Sequence, residues 1–376
     1  MDNDELTNLF ERLHRMPELS LREVETTRVI KEVLGAIEGV ELLDLNLPTG
    51  ALARVRGGVS GPAVALRADI DALPIREESG LAYASANGLM HACGHDFHTT
   101  ALLGAASVLA EHRNELAGTV YLLFQPAEED GHGARAVVAA GALQPLGIRR
   151  LFGLHVDSRL PAGVVALPNG ALSASVDHIT IAVGGRGTHA ARPQVGRDPI
   201  VAASRLVGDL QEAVSRTVDP FEPAVVSITR IAGGASWNII PESVELEGTV
   251  RTMNPVVREA IRSEVQTRVD ALGAEGYTAS LSWEECCDPV INDSELAETA
   301  RAVARDAGLE LGGFEASMGG EDFSDLYSIA PGVFAHVGVG CAYPLHNPRF
   351  VADEAALPAA VRLHVAWATE TLRGFL

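Results

Sequence analysis

Residues 63–74 read Ala-Val-Ala-Leu-Arg-Ala-Asp-Ile-Asp-Ala-Leu-Pro, an apolar run that ends in two aspartates and a proline turn. The run predicts a strand over 63–68. On its N-terminal side, Ser20 and Glu23 have the spacing of a capping box that begins a helix. On its C-terminal side, elements are predicted in alternation: a helix over 98–109, a strand over 119–124, a helix over 133–143 and a strand over 150–154. This alternation indicates an α/β fold with a mixed, largely parallel sheet.

The middle of the chain has a different order of elements. Between residues 176 and 283 the pattern is strand, helix, strand, strand, helix, strand, which is typical of a ferredoxin-like α+β domain. After it, helices over 294–306 and 355–372 flank a strand over 333–339, so the α/β pattern returns. We therefore expect a catalytic domain over 1–172 and 288–376, with an inserted domain over 173–287.

Composition excludes several classes of protein. The 376 residues include 29 Lys and Arg against 50 Asp and Glu, a formal charge of −21, which disfavours a nucleic-acid partner. The sequence has no apolar run long enough to span a bilayer and no basic-then-apolar leader at its start, so we expect no membrane association. Four cysteines, two of them adjacent and the other two far apart, form no disulfide framework, and a cytoplasmic protein is the default expectation.

Potential metal ligands concentrate in residues 91–98, which read His-Ala-Cys-Gly-His-Asp-Phe-His. If this segment is extended, Cys93 and His95 project to the same side and can reach one ion. A thiolate beside an imidazole suits transition metals such as zinc, cobalt, nickel or manganese rather than calcium. The structural alternative is a small buried cysteine with Asp96 capping the following helix.

Two adjacent carboxylates, Glu128 and Glu129, follow the apolar run 120–124. Adjacent side chains point in opposite directions, so one carboxylate can bind a metal ion while its neighbour faces a bound water as general base. The alternative is a solvated acidic loop.

Further candidates also follow predicted strands: Asp69 and Asp71 after 63–68, His155 after 150–154, and His346 beyond 333–339. Open parallel sheets place their sites at the C-terminal ends of their strands, so we expect these segments to converge. The candidate ligands exceed one tetrahedral shell, which predicts a two-metal site with ions about 3.5–4 Å apart. They are Cys93, His95, Glu129, His155 and His346.

Eight segments in order along the chain resemble the dimetal aminoacylase/carboxypeptidase family, in its amidohydrolase branch of hippurate hydrolases, N-acyl-amino-acid amidohydrolases and auxin-conjugate hydrolases. The two most specific are Met-His-Ala-Cys-Gly-His-Asp (90–96) and Pro-Ala-Glu-Glu (126–129). The others are Leu-Arg-Ala-Asp-Ile-Asp-Ala-Leu-Pro (66–74), Gly-Leu-His-Val (153–156), Gly-Thr-His-Ala-Ala-Arg-Pro (187–193), Asn-Ile-Ile-Pro-Glu (238–242), Gly-Thr-Val-Arg-Thr (248–252) and Gly-Gly-Glu-Asp-Phe (319–323).

The resemblance implies a zinc-peptidase-like catalytic domain and roles for individual residues. The five candidate ligands would bind two cations, with one residue shared, and Glu128 would be the general base. Asp71 would orient a ligand, and Asp69 stands where related peptidase branches carry a metal-binding histidine. In the inserted domain, which would serve as a dimerisation or lid domain, His189 would reach a neighbouring subunit's site and stabilise the oxyanion. Asn238 and Arg251 would bind the substrate carboxylate.

The implied reaction is the hydrolysis of N-acyl amino acids (N-acetyl, N-benzoyl or similar) to a carboxylic acid and a free amino acid, by a metal-bridged water with Glu128 as base. Two divalent ions are implied, Zn²⁺ or Mn²⁺, with Co²⁺ or Ni²⁺ as alternatives, in a homodimer or homotetramer formed through the inserted domain. A dipeptidase or carboxypeptidase on the same fold is the first alternative function. A catalytically silent metal-dependent binding protein ranks lower because Glu128 is present.

One residue departs from the family pattern. Phe97 stands where the family more often has a small residue. We expect its ring to reshape the pocket for the acyl group.

Overall fold

The computed structural model describes residues 1–375. It divides into two compact units: the first contains residues 1–170, 291–315 and the chain from 322 onward, and the second contains 171–290 and 316–321. The short piece 316–321 was expected in the catalytic domain. It belongs to the second unit because Ser317 N donates to Leu172 O (3.0 Å) and Ala174 N donates to Gly319 O (2.9 Å).

The first unit is built around a seven-stranded sheet. Its helices are α1 (Asn3–His14), α2 (Val24–Ala36), α3 (His95–Glu111), α4 (Gly133–Ala139), α7 (Ser294–Asp306) and α8 (Leu357–Arg373). Its sheet strands are β1 (Val40–Leu43), β2 (Ala51–Arg56), β3 (Val59–Asp69), β4 (Ala117–Gln125), β5 (Ile148–Asp157), β6 (Val165–Ala166) and β15 (Gly332–Gly338). Two-residue strands β7 (Gly170–Ala171) and β14 (Ile291–Asn292) lie near the junctions.

The strand order in this sheet is β1-β2-β4-β3-β5-β15-β6. The four central strands, β4, β3, β5 and β15, run parallel, while β1, β2 and β6 add antiparallel edges. Because parallel strands end at one edge of the sheet, β3, β4, β5 and β15 deliver the residues that follow them to the same side. The predicted mixed α/β sheet is confirmed.

Helix α2 does not begin with the predicted capping box. The α2 N-cap residue, Glu23, makes no side-chain cap hydrogen bond, and Ser20 Oγ donates instead to Asp71 Oδ2 (2.7 Å). The backbone amides of Glu25 and Thr26 are bound by the carboxylate of Glu18, at 3.2 and 2.8 Å. Ser20 and Glu23 have the spacing of a capping box, but their side chains bind Asp71 and Ala127, which are distant in sequence.

The second unit contains a four-stranded antiparallel sheet in the order β10-β12-β8-β13. Its strands are β8 (Ser175–Gly184), β10 (Ala224–Gly233), β12 (Ser243–Thr252) and β13 (Thr278–Cys287), with helices α5 (Pro199–Ser215) and α6 (Pro255–Ala274). Two short strands, β9 (Thr188–His189) and β11 (Ile239–Ile240), pair separately. Strand β8 alternates buried and half-buried residues, and its buried face joins an aliphatic core with α5 and α6. This is the strand order of a ferredoxin-like domain.

Within residues 1–375, no helix combines the length and the apolar character required to cross a bilayer.

Candidate metal centre

The C-terminal edge of the central strands carries the predicted ligands. Strand β3 ends at Asp69, two residues before Asp71, and β4 ends three residues before Glu128. His95 is the first residue of α3. His346 lies in the loop that follows β15, where its φ of 62° and a hydrogen bond from its amide to Ala92 O (2.8 Å) fix the backbone.

The side chains of the five predicted ligands converge. Cys93 Sγ lies 3.3 Å from His155 Nε2 and 3.3 Å from His346 Nε2. Glu129 Oε1 lies 3.7 Å from His346 Nε2 and 3.9 Å from His95 Nε2. The adjacent carboxylate also faces the cluster, because Glu128 Oε2 lies 3.8 Å from His95 Nε2. The structure therefore brings together all five residues and Glu128.

The lone pairs in this cluster suit a bound cation. His95 Nε2 and Glu129 Oε1 are buried and have no hydrogen-bond partner within the described residues. His155 Nδ1 lies 2.8 Å from the carbonyl of Val156, so Nδ1 carries the proton and Nε2 presents its lone pair to the cluster. His95 Nδ1 contacts Asp71 Oδ1 at 3.1 Å, which directs Nε2 inward in the same way. Such carboxylate and carbonyl contacts orient metal-binding histidines.

Titration in this cluster reflects crowded, buried acids. Burial raises the pKa of Glu129 to about 7. Burial and the neighbouring Glu129 carboxylate raise the pKa of the Cys93 thiol well above its usual value. Burial opposes a charge on His95, but Asp69 and Asp71 outweigh it and hold the pKa of that imidazole well above its usual value. Cations would replace these protons, because metal ligands must be deprotonated.

His98 also lies in the cluster but is committed to the protein. Its Nδ1 lies 2.5 Å from Asp69 Oδ1, and its Nε2 accepts from the amide of Val156 at 2.9 Å. Its ring packs against that of His155, with centroids 4.6 Å apart. Since both nitrogens are occupied, His98 positions His155 rather than offering a lone pair.

Asp69 is held in turn by a buried arginine. Arg67, which is 0% exposed, donates to Asp69 Oδ2 (2.6 Å) and to Asp322 Oδ1 (2.9 Å). Its Nε donates to Gln125 Oε1 at 2.9 Å. Arg67 keeps the pKa of Asp69 well below its usual range despite burial. The sequence analysis did not predict this network. Its signal in the sequence is Arg67, a charged residue within the predicted apolar strand 63–68.

Three predictions about local geometry are wrong. Cys93 and His95 are not in an extended segment, because Gly94 turns the chain at φ 83° and α3 begins at His95. His155 lies within β5 rather than after it. Phe97 does not line a pocket: it is fully buried in the hydrophobic core, edge-to-face with Phe10 at 6.3 Å. It lies one residue from His98 along α3, about 100° around the helix, and packs in the hydrophobic core beside Phe10.

The remaining predicted site residues lie in the second unit. His189 and Asn238 are brought together by the β9–β11 pair, in which Ala190 N donates to Asn238 O at 2.9 Å. His189 is exposed, and its Nδ1 accepts from Ala191 N at 3.1 Å, which leaves Nε2 as a donor. Arg251 is half-buried on β12, where its Nε donates to Thr249 Oγ1 at 3.0 Å.

The model of the peptidase family M20/M25/M40 matches residues 65–370. The chain belongs to this family. The resemblance to the dimetal aminoacylase/carboxypeptidase family is thereby confirmed.

Named relatives span nearly the whole chain. It is 43% identical to an N-acetylcysteine deacetylase of Bacillus subtilis over 94% of this chain and 93% of that protein. It is 34% identical to thermostable carboxypeptidase 2 of Saccharolobus solfataricus, over 96% and 94% of the two chains. A solved structure from Bacillus subtilis, described as a dinuclear metal binding peptidase from the M20 family, superposes with a TM-score of 0.88 at 39% identity, covering 99% and 98%.

Proposed function

We propose that this chain is a metal-dependent amidohydrolase that converts N-acyl amino acids to a carboxylic acid and a free amino acid. The observation that carries the proposal is the pairing of Glu128 with Glu129 at the cluster. Glu129 faces His346 and His95 as a ligand would, while Glu128 approaches the same imidazole, His95, from a separate residue. Metal-assisted hydrolysis requires this combination of a ligand and a base.

Cys93, His95, Glu129, His155 and His346 would hold two divalent cations. The cations, when bound, lower the pKa of a water molecule and polarise a carbonyl group. The thiolate and imidazoles favour Zn²⁺ and the carboxylates also suit Mn²⁺, with Co²⁺ and Ni²⁺ as alternatives.

Glu128 would move the proton that the reaction requires. Its carboxylate accepts a proton from the attacking water as a bond forms between the water oxygen and the acyl carbon. It then gives that proton to the amine nitrogen as the carbon–nitrogen bond breaks. Only 11% of the Glu128 side chain is exposed, which keeps competing solvent from the carboxylate. Asp71 holds His95 in orientation through the 3.1 Å contact.

The second unit would supply substrate contacts and the oligomer interface. His189 presents Nε2 as a donor, which suits the negative charge that develops on the carbonyl oxygen of a neighbouring subunit's substrate. Asn238 and Arg251 would bind the substrate carboxylate. Phe221 and Trp237 are 96% and 95% exposed, as expected of side chains that a partner covers in a homodimer or homotetramer. The expected cytoplasmic location stays a prediction.

A second function has a specific observation in its favour. One relative, at 34% identity, is named a thermostable carboxypeptidase, which makes short peptides a second candidate class of substrate. A dipeptidase or carboxypeptidase would use the same ligands and the same base. The substrates differ on the carbonyl side of the scissile bond, where a dipeptide carries a free α-amino group and an N-acyl amino acid does not. The silent binding protein is the least favoured candidate, because the paired carboxylates are both in place.

A substrate panel tests the proposal. Protein loaded with Zn²⁺ or Mn²⁺ is assayed on N-acetyl amino acids, N-benzoyl amino acids and dipeptides, with Glu128→Gln as the matched variant. We expect N-acyl amino acids to be hydrolysed fastest. Glu128→Gln should lower kcat about 10²–10⁴-fold, because it removes proton transfer, without changing the metal content.

Full activity of Glu128→Gln would contradict the assignment of the base. Faster hydrolysis of dipeptides than of N-acyl amino acids would favour the peptidase. If the metal-loaded wild type hydrolysed none of these substrates, the result would favour the metal-dependent binding protein.

A further inference from the structure

The segment between α1 and α2 makes contacts that its sequence did not predict. Glu23, which is 0% exposed, accepts two backbone hydrogen bonds on Oε1, from Leu21 N at 3.0 Å and from Ala127 N at 2.8 Å. Ala127 lies 104 residues away, immediately before Glu128. The carboxyl group of Glu23 therefore ties the start of α2 to the loop that carries the proposed base.

This loop has an unfavourable backbone conformation. Ala127 has a φ of 58°, in the left-handed region that residues with a Cβ rarely adopt. It is 1% exposed, so its amide needs a partner within the protein. Its carbonyl accepts from Gly133 N at 3.0 Å, and its amide donates to Glu23. A strained residue persists only where its surroundings hold it in place.

The other end of the loop is held by the same segment. Asp71 Oδ2 accepts from Glu129 N at 3.0 Å and from Ser20 Oγ at 2.7 Å. Ser20 thus supports Asp71, which supports Glu129, while Glu23 supports Ala127. Glu128 lies between the two supported amides.

We propose that Glu23 is a positioning residue for the reaction, which fixes the left-handed turn at Ala127 and thereby the directions of the Glu128 and Glu129 side chains. It acts through the backbone and touches neither substrate nor metal. The expected effect of Glu23 on kcat rests on the proposed function. Its expected effect on Glu129 rests only on the metal cluster. Desolvation raises the pKa of Glu23, although its hydrogen bonds, including that from Ala127, favour the charged carboxylate.

Glu18 provides a matched control in the same segment. Its carboxylate also binds two backbone amides, those of Glu25 and Thr26, at 3.2 and 2.8 Å. These amides belong to the first turn of α2 and not to the loop 126–129. Removing the Glu18 side chain should therefore cost stability without disturbing Glu128.

The experiment compares Glu23→Ala, Glu23→Gln and Glu18→Ala with the wild type. Two quantities are measured at a temperature where all are folded: kcat and KM on an N-acetyl amino acid, and Co²⁺ affinity from titration of metal-free protein. We expect Glu23→Ala to lower kcat about 10–100-fold with KM nearly unchanged, and to weaken the binding of one Co²⁺ ion about tenfold. Glu23→Gln keeps the acceptor oxygen and should restore both values to within about threefold.

Glu18→Ala should lower the thermal midpoint while kcat and Co²⁺ affinity stay within about threefold of wild type. If Glu23→Ala does not fold, Glu23→Asp serves in its place, because it keeps the charge but shortens the side chain by one methylene. The same losses are expected from it.

The proposal is overturned if Glu23→Ala keeps the wild-type kcat and Co²⁺ affinity. It is also overturned if Glu23→Gln is as impaired as Glu23→Ala, or if Glu18→Ala shows the same losses as Glu23→Ala. A wild type that hydrolyses nothing would refute the proposed function alone. In that case the Co²⁺ titration still decides whether Glu23 positions Glu129.

Discussion

Each unit buries one arginine against an aspartate, and the two networks differ in what else they touch. In the second unit, Arg258 donates to Asp177 Oδ2 at 2.9 Å, and Trp283 Nε1 donates to Asp177 Oδ1 at 2.9 Å. In the first unit, Arg67 binds Asp69, and Asp69 continues to His98 at 2.5 Å. His98 then accepts from the amide of Val156, next to His155.

A buried ion pair becomes part of a site when its hydrogen bonds continue to the groups that bind a ligand. A buried arginine–carboxylate pair contributes little net stability, because desolvation offsets the attraction, but loss of one partner is costly. Arg258 pairs with Asp177 on β8, with Glu285 on β13 and with Asp288 just beyond β13, all in its own unit. The Arg67 network extends by two further side chains to a proposed metal ligand, so its loss should be felt in metal binding as well as in stability.

The largest expected effect separates the two networks directly. Arg67→Met and Arg258→Met should each lower the free energy of unfolding by about 3–5 kcal/mol, because each leaves a buried aspartate without its cation. Arg67→Met should also weaken metal retention at least about tenfold, since His98 loses its support. Arg258→Met should not. Urea unfolding of metal-free protein and the metal-to-protein ratio after dialysis measure the two effects.

If Arg67→Met and Arg258→Met kept the same metal-to-protein ratio after dialysis, whether high or low, the two networks would not differ in their effect on metal binding.

A second contrast concerns histidines paired with carboxylates. His14 in the first unit is buried between Asp96 (2.6 Å) and Glu77 (3.0 Å). Burial opposes its charge, but Asp96 and Glu77 outweigh burial and raise the pKa of His14 from 6.5 to about 10. In the second unit, His178 contacts Glu247 at 3.0 Å on a half-exposed face.

The pH dependence of stability should distinguish these two histidines. Because the folded state raises the pKa of His14, the stabilisation is fully present below about pH 6.5 and is lost as the pH rises toward 10. His14→Gln should therefore cost about 2 kcal/mol at pH 6 and progressively less up to pH 10. His178→Gln should cost less than about 1 kcal/mol throughout. Urea unfolding at several pH values measures this, and a pH-independent cost for His14→Gln would contradict it.

The smallest expected effect concerns Phe97, whose neighbour in sequence, His98, belongs to the cluster. Because the ring is packed in the core against Phe10, Phe97→Leu should lower the free energy of unfolding by about 1 kcal/mol. The ratio of rates on N-acetyl and N-benzoyl substrates should stay unchanged. A shift in that ratio would restore Phe97 to the pocket for the acyl group.

Local patterns in the sequence predicted much of the fold. The alternation of strands and helices predicted the mixed sheet, and the order strand, helix, strand, strand, helix, strand predicted the ferredoxin-like arrangement. The convergence of Glu129, His155 and His346 was also predictable, because each lies near or beyond the C-terminal end of a parallel strand. Cys93 and His95 instead lead into α3. Residue type and spacing predicted Cys93, His95 and Glu129 as metal ligands, and the structure places their side chains together.

Contacts between residues distant in sequence could not be predicted. Ser20 and Glu23 have the local spacing of a capping box, and only the fold shows that their partners are Asp71 and Ala127. The sequence predicted a helix from residue 98, whereas α3 begins at His95 and so includes Phe97. A shift of three residues in the start of a helix changes the direction of each side chain around the axis by about 300°. The turn at Gly94 set that boundary.

We propose that five side chains hold two cations beside Glu128, and anomalous diffraction would locate these ions. Crystals grown with excess Zn²⁺ are measured at the zinc absorption edge. We expect two peaks about 3.5–4 Å apart, contacted by Cys93, His95, Glu129, His155 and His346. A map without peaks among these residues, or with the five side chains dispersed, would contradict the account.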